Sequence, residues 1–279
     1  MFTYLSLGAG VQSSALLLMA DREPERIGEA MGLVDALGLS EFRCDLAVFG
    51  DTQDEPESVY SWLKVLKAAV KTVPIIEVTR GSIMKDNLEG ANFGRPPWFL
   101  GNPDGSKGML RRQCTERYKV RPITQAVREH LGMKPGQRWK QHVTRMLGIS
   151  TDEPDRMKPS QEKWATNVWP LIDLGMSRTD CVKYVEATGL GTPPRSACWH
   201  CPFHSDAEWL RLRNHEPEAW DKAVAFDKAI RNGCLARTEK PLIGIPYLHA
   251  QRVPLDEVKF KNDGPESGGS NECGGTCFV

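Results

Sequence analysis

Five of the eight cysteines stand within three residues of glycine, proline or a charged residue and read as set apart from the core: Cys114, Cys198, Cys201, Cys273 and Cys277. Such settings suit ligands or reactive thiols better than core packing. In Cys198-Trp-His-Cys201 a C-x-x-C turn presents two thiolates to one metal, and distant Cys114 can close the site. Three protein thiolates suit three irons of a [4Fe–4S] cluster, with the fourth iron open to another ligand. Structural zinc takes four ligands, a number that Cys114, Cys198 and Cys201 reach with His200 or His204. A redox dithiol at Cys198–Cys201 is the plainer alternative. Cys44, Cys181 and Cys234 read as core thiols; Cys181 follows Ser177-Arg-Thr-Asp180, the pattern of a helix capping box.

A second chemical signal lies near the start, in Ser6-Leu-Gly-Ala-Gly-Val-Gln-Ser-Ser14. Apolar runs flank it, so it reads as a strand, a glycine-rich turn and a helix. That arrangement makes an anion site. The helix start offers free N–H groups and a positive dipole end, and glycines let backbone approach a phosphate. Ser6, Ser13 and Ser14 add hydroxyl donors. No lysine follows the second glycine as in a Walker A loop, and G-x-G-x-x-G is absent.

These residues carry a resemblance. Gly8-Ala-Gly-Val-Gln-Ser-Ser14 is similar to the pyrophosphate-binding loop of the adenine-nucleotide α-hydrolase superfamily, closest to its sulfonucleotide (PAPS and APS) reductases. Many ATP pyrophosphatases have Asp where this chain has Gln12. Phe49-Gly-Asp-Thr-Gln-Asp-Glu-Pro-Glu-Ser58 resembles the family's D-T-G…P-E-T segment, with Gln53 in place of Gly. Arg112-Gln-Cys-Thr-Glu-Arg-Tyr-Lys-Val-Arg-Pro-Ile123 resembles the C-C-x-x-R-K-V-x-P-L stretch of cluster-containing reductases, and Cys198–Cys201 their later C-x-x-C. Position 113 is Gln, so one of four usual cluster ligands is missing. Glu272-Cys273-Gly274 resembles the reductases' terminal E-C-G, followed here by Gly-Thr-Cys277 rather than an aliphatic residue and His. Gly148–Arg156 and Tyr247–Val258 resemble a PAPS-reductase-like group common in phage and actinobacterial genomes.

The resemblance implies a parallel sheet covered by helices on both faces, with a helical, Cys-containing C-terminal part and a flexible tail. It implies an adenine nucleotide (ATP, APS or PAPS) held by Ser6, Gly8, Gly10, Gln12, Ser13, Ser14, Asp51 and Thr52, with Asp51 placing ribose or Mg2+. Arg112, Lys119 and Arg121 would bind the anionic substrate. Cys114, Cys198 and Cys201 would hold a [4Fe–4S] cluster, or zinc. Cys273 would attack the sulfonucleotide sulfur, and Cys277 would resolve the product or ligate the open iron; a thiol reductant would complete turnover. The rival reading is an ATP-dependent sulfurtransferase, which adenylates and thiolates a metabolite or a nucleic acid (tRNA thiolation or DNA phosphorothioation) with a sulfur donor. Basic residues between Lys107 and Lys140 would then meet phosphate. A redox-sensing nucleotide-binding regulator is a third.

Elements must position these groups. Alternating strand and helix patterns fill the first half: strands at 2–7, 44–50 and 74–78, helices at 12–21, 24–38 and 55–72. Such alternation implies a parallel sheet. Residues 90–108 carry Gly, Pro and aromatics without period and read as a long loop. A helix at 122–131, strands at 143–149 and 168–172, and helices at 207–213 and 218–231 follow. These divide the chain into a nucleotide-binding domain at 1–175, a helical part at 176–260 and a flexible tail at 261–279.

At 279 residues the chain buries a core without disulfide staples. Its 36 basic and 36 acidic residues cancel, so no global field attracts nucleic acid or membrane. No apolar run approaches the roughly 18 residues of a membrane span. With no leader-like start either, the expected location is the cytoplasm.

Overall fold

Strand β1 (Phe2–Leu7) sends Leu5 and Leu7 into one core and Tyr4 into another. Strand side chains alternate with period two, so an apolar strand of this kind needs cover on both faces. The computed structural model that shows this describes residues 2–32, 42–89, 96–134, 137, 142–232 and 242–261. After β1 come α1 (Val11–Arg22), α2 (Pro24–Ala30), β2 (Leu46–Asp51), α3 (Glu57–Ala69), β3 (Ile75–Thr79) and α4 (Ile83–Leu88). Short strands β4 (Phe99–Gly101) and β5 (Lys107–Met109) precede a π-helical turn, Glu116–Val120, that runs straight into α5 (Arg121–His130). Then follow β6 (Val143–Leu147), β7 (Ala165–Val168), α6 (Pro170–Asp173), α7 (Arg178–Ala187), α8 (Asp206–His215), α9 (Pro217–Arg231) and β8 (Ile245–Tyr247).

The main sheet is parallel throughout, in the order β3-β2-β1-β6-β7. Helices α1, α3 and α7 bury Leu16, Leu17, Leu63, Leu66 and Val185 against one face. Each such side chain contributes roughly 1.5–3 kcal/mol. Ile123 and Val127 of α5 cover the other face. The predicted α/β class, with both faces covered, is therefore observed. The order reverses between β1 and β6, and in open sheets of this kind ligands bind at the strand ends beside that reversal.

A second core gathers Trp98, Trp199, Trp209, Phe226 and Leu248. It joins α8 and α9 to a small antiparallel sheet ordered β5-β4-β8. Two sequence expectations are corrected here. The stretch read as a loop at 90–108 contains the β4–β5 hairpin among its described residues. The strand expected at 168–172 ends at Val168, and Pro170, whose fixed φ suits a first helical turn, opens α6 instead. Just beyond 175, Met176, Cys181 and Val185 pack within the first core. Cys44 and Cys181 are buried as expected; Cys234, the end of the helix expected at 24–38, and the tail lie outside the described residues.

Candidate functional site

β1 leads into α1 through Gly8-Ala9-Gly10, and Ala9 takes the left-handed conformation, φ 56°. A residue with a Cβ is held there only by its surroundings, and such positions cluster at ligand sites. No side chain caps α1. Its first N–H groups therefore lack intrahelical acceptors, and Gly10, Val11, Gln12 and Ser13 all line one cavity. Ser13 Oγ donates to Gly10 O and accepts from Gly8 N, both at 3.3 Å, which fixes the turn. Gly148, just past β6, forms the opposite lip. A Cβ there would stand 2.8 Å from Ser13 N, so only glycine lets the two segments meet. The cavity thus opens at the reversal between β1 and β6.

Five cations line it: Arg112, Lys119, Arg156, Arg178 and Arg195. No carboxylate does, among the described residues; acids behind the wall hold Lys119, Arg156 and Arg195. Glu153 pairs with Arg156 and accepts from Gln12 Nε2 at 3.2 Å, while Gln12 Oε1 accepts from Arg178 at 3.2 Å. Glu208 holds Arg195 at 3.1 Å, and Glu55 holds Lys119 at 2.8 Å. Burial alone would lower Lys119, but Glu55 raises it further, so it stays charged. Lys119 comes from the π-helical turn, which passes so close to β2 that a Cβ at Gly50 would meet Lys119 Cα at 3.1 Å. Arg112 lies over the Phe203 ring at 5.6 Å. Charges tethered before a ligand arrives need little reorganisation when it does.

Cys114, Cys198 and Cys201 line the same cavity, and none forms a disulfide. The C-x-x-C turn closes on Cys201 N to Cys198 O at 2.9 Å. It is pinned to the β2–α3 loop: Trp199 N donates to Asp54 O at 2.9 Å and His200 Nε2 meets Asp54 Oδ2 at 3.2 Å. Asp54 also accepts from Ser82 Oγ and Met84 N. Burial alone would raise its carboxyl, but these partners, His200 foremost, hold it below the usual range. Cys198 Sγ sits 3.2 Å from Thr52 Oγ1 and 3.9 Å from Glu55 Oε1. Burial pushes Cys198 well up, Cys201 to about 11 and Cys114 upward, so metal-free thiols there stay protonated at neutral pH.

Among the described residues no three His, Cys, Asp or Glu side chains form a group placed for a single metal ion. The donor set nevertheless fits a cluster or zinc chemically. Three soft thiols line one cavity with His200, whose Nδ1 is buried without a partner, whereas both ring nitrogens of His204 are engaged, by Glu208 and Cys198 O.

Of the residues expected from sequence, the cavity brings together Ser6, Gly10, Gln12, Ser13, Thr52, Arg112, Lys119 and the three cysteines. Others lie off its wall. Ser14 is buried and accepts from Trp62 Nε1 at 2.8 Å. Asp51 accepts from Tyr60 and from Gln53 N; Gly8 is buried behind the turn; Arg121 is exposed and paired with Glu116. Cys273 and Cys277 are outside the described residues. Sequence reasoning missed Arg156, Arg178 and Arg195. Each stands in or next to a segment singled out for other reasons: the Gly148–Arg156 stretch, the Ser177 capping box and the approach to Cys198.

Fold and site together define a doubly wound α/β protein with a cationic, thiol-bearing cavity at its topological reversal. No known family's sequence pattern matches the chain, and no curated protein matches it. Among solved structures it is similar to the phosphoadenylyl-sulfate (PAPS) reductase of Candida auris, in a phosphate complex. The identity is 13%, with 72% of this chain and 82% of that chain covered, at a TM-score of 0.43. No helix among the described residues is long and apolar enough to cross a membrane.

Proposed function

We propose that the protein is an enzyme of adenine-nucleotide-dependent sulfur chemistry, acting in the manner of a sulfonucleotide reductase. One observation carries the reading: five cations, three thiols and the uncapped start of α1 face one cavity that no carboxylate lines among the described residues. Such a wall selects a ligand with several negative charges. The α1 N–H groups and Ser13 would hold one phosphate, and the tethered arginines the remaining anionic groups.

In this reading Cys273 supplies the nucleophile. Its thiolate attacks the sulfuryl sulfur, the S–O bond to phosphate breaks, and the bonding pair leaves with the nucleotide. The resulting S-sulfocysteine is attacked at its Cys273 sulfur by a second thiol, Cys277 or that of an external reductant. Sulfite departs with the electron pair, and a disulfide remains for a dithiol to reduce. Arg112 and Arg195, which line the cavity, would neutralise the sulfuryl charge. Cys114, Cys198 and Cys201 would hold a [4Fe–4S] cluster, or zinc in the structural alternative; with three thiolate ligands a cluster would keep one iron open to another ligand.

A second reading is an ATP-dependent sulfurtransferase. The three thiols favour it, since they lie beside the phosphate loop itself, where an adenylated acceptor would receive sulfur. Anaerobic incubation with ATP, APS and PAPS separately distinguishes the two. Sulfite from a sulfonucleotide, lost on deleting residues 271–279, supports the first. Pyrophosphate or AMP from ATP with an RNA or DNA acceptor present, and no sulfite from either sulfonucleotide, supports the second; no turnover under any of these conditions would count against both.

A further inference from the structure

We propose that the exposed face of the small sheet β5-β4-β8 is a platform for a single strand of nucleic acid leading into the cavity. The proposal rests on the second reading above, in which a nucleic acid accepts the sulfur. Among the described residues four large hydrophobic side chains are strongly exposed, and three belong here: Met109 at 42%, Ile243 at 86% and Ile245 at 49%. Met109 and Ile245 stand on the sheet and Ile243 two residues before Ile245, and exposed apolar side chains gathered in this way mark an interaction site.

The register makes the face. Tyr247, Phe99 and Met109 lie side by side across the three strands, and Ile245, Gly101 and Lys107 form the next row. Residues in register share a face, and these alternate with Pro246, Leu100 and Gly108 on the other. Gly101 leaves room for the neighbouring ring, since a Cβ there would touch Tyr247 Cε2 at 3.4 Å. Guanidinium groups lie on both rings: Arg252 on Phe99 at 5.5 Å and Arg231 on Tyr247 at 6.0 Å. Arg252 is fixed by donating to Leu100 O, Gly108 O and Ala250 O, and Arg231 by donating to Asp227. Aromatic rings and guanidinium planes are the two protein surfaces on which bases stack.

Charge selects the occupant. Lys107 and Arg111 are exposed beside the platform. Asp227 is buried and satisfied by Arg231, Leu248 N and Leu255 N. The exposed acid of the β4–β5 turn, Asp104, is folded back on Ser106 N at 2.9 Å. A polyanion with apolar, flat groups fits this face. Its position fits as well. Pro97, two residues before Phe99, and Arg112, three after Met109, both line the cavity. At about 3.3 Å per residue the aromatic row lies roughly 7–10 Å from that wall. Two or three stacked nucleotides, at about 3.4 Å each, span the distance.

The test is fluorescence anisotropy of the full chain with labelled twelve-nucleotide oligo-U and oligo-dT and a twelve-base-pair duplex, at two salt concentrations, with ATP binding measured on the same samples. A single strand should bind more tightly than the duplex. Phe99→Ala and Tyr247→Ala should each weaken it about tenfold, while Phe99→Trp retains binding. Ile243→Glu, at a position too exposed to disturb the core, should weaken it too, and Lys107→Glu should flatten the salt dependence. Three results would overturn the proposal: no strand binding, as for a face that holds a protein; duplex bound as tightly; or affinity unchanged in both Tyr247→Ala and Ile243→Glu. If the variants behave as expected but ATP does not bind, the platform stands and the reading of the cavity falls.

Discussion

Ser13 and Ser14 are adjacent, identical in chemistry and opposite in consequence. Ser13 lines the cavity, whereas Ser14 Oγ is fully buried against Trp62 Nε1. Ser13→Ala removes the hydroxyl that ties Gly8 N to Gly10 O across the turn, at roughly 0.5–1.5 kcal/mol per bond. It should weaken nucleotide binding because the turn that forms the anion site loosens. Ser14→Ala leaves a buried indole N–H unsatisfied, so it should lower stability by about 1–3 kcal/mol with little change in affinity. Calorimetric titration and urea unfolding of both variants check the pair; equal affinity losses would contradict the assignment. Sequence reading treated the two serines alike, because strand–turn–helix chemistry is visible in composition but helix rotation about its own axis is not. The cysteines were easier. Cys114, Cys198 and Cys201 line one cavity, although among the described residues no three metal-ligating side chains are grouped for a single ion. Arg156, Arg178 and Arg195 were harder, since an arginine's neighbours in sequence say nothing of which carboxylate behind a cavity will hold it.

At the scale of elements, the site depends on two close approaches and one pinned turn. Gly148→Ala would put a methyl 2.8 Å from Ser13 N, a backbone atom that cannot move without shifting the loop. Overpacking of this kind costs about 1–3 kcal/mol, and here the strain falls on the anion site. The variant should fold, melt earlier and lose most of its nucleotide affinity; unchanged binding would show that the two segments do not share the ligand. The C-x-x-C turn gives a second expectation. Anaerobically purified protein should be brown, and Cys114→Ala, Cys198→Ala and Cys201→Ala should each bleach it. Colourless protein with one zinc per chain would favour the structural metal. The parallel sheet was legible because long, strongly apolar strands alternate with amphipathic helices. The β4–β5 hairpin was not, for three-residue strands rich in glycine show no period, and their third partner, β8, lies far along the chain. The π-helical turn left no signal at all, though it delivers Lys119 to Glu55.

Over the whole molecule, acids placed behind the cavity wall hold its cations, and Glu208 of α8 holds both Arg195 and His204. Glu208 of α8 shows what this arrangement does to pH stability. Burial alone would raise its carboxyl, but the bond and charge of His204, then Arg195 and Arg211, hold it down to about 2, from an ordinary 4.5. A depressed folded pKa means that the unfolded chain takes up a proton first as the solution is acidified. The stabilisation is thus complete above about pH 4.5 and drains away as pH falls through about 2. Over that window the shift corresponds to about 3 kcal/mol. Asp54, also lowered and also buried, adds a loss of the same sign. Glu208→Gln keeps the shape and removes the titration. It should therefore be less stable than the parent protein at pH 7, by up to about 3 kcal/mol. The gap should close as both approach pH 2, because the parent then carries a neutral carboxyl in the same place. Urea midpoints at pH 7, 4 and 3 measure this directly. A gap that stays constant with pH would mean that Glu208 acts by packing alone and that charge does not fasten α8 to the cavity wall.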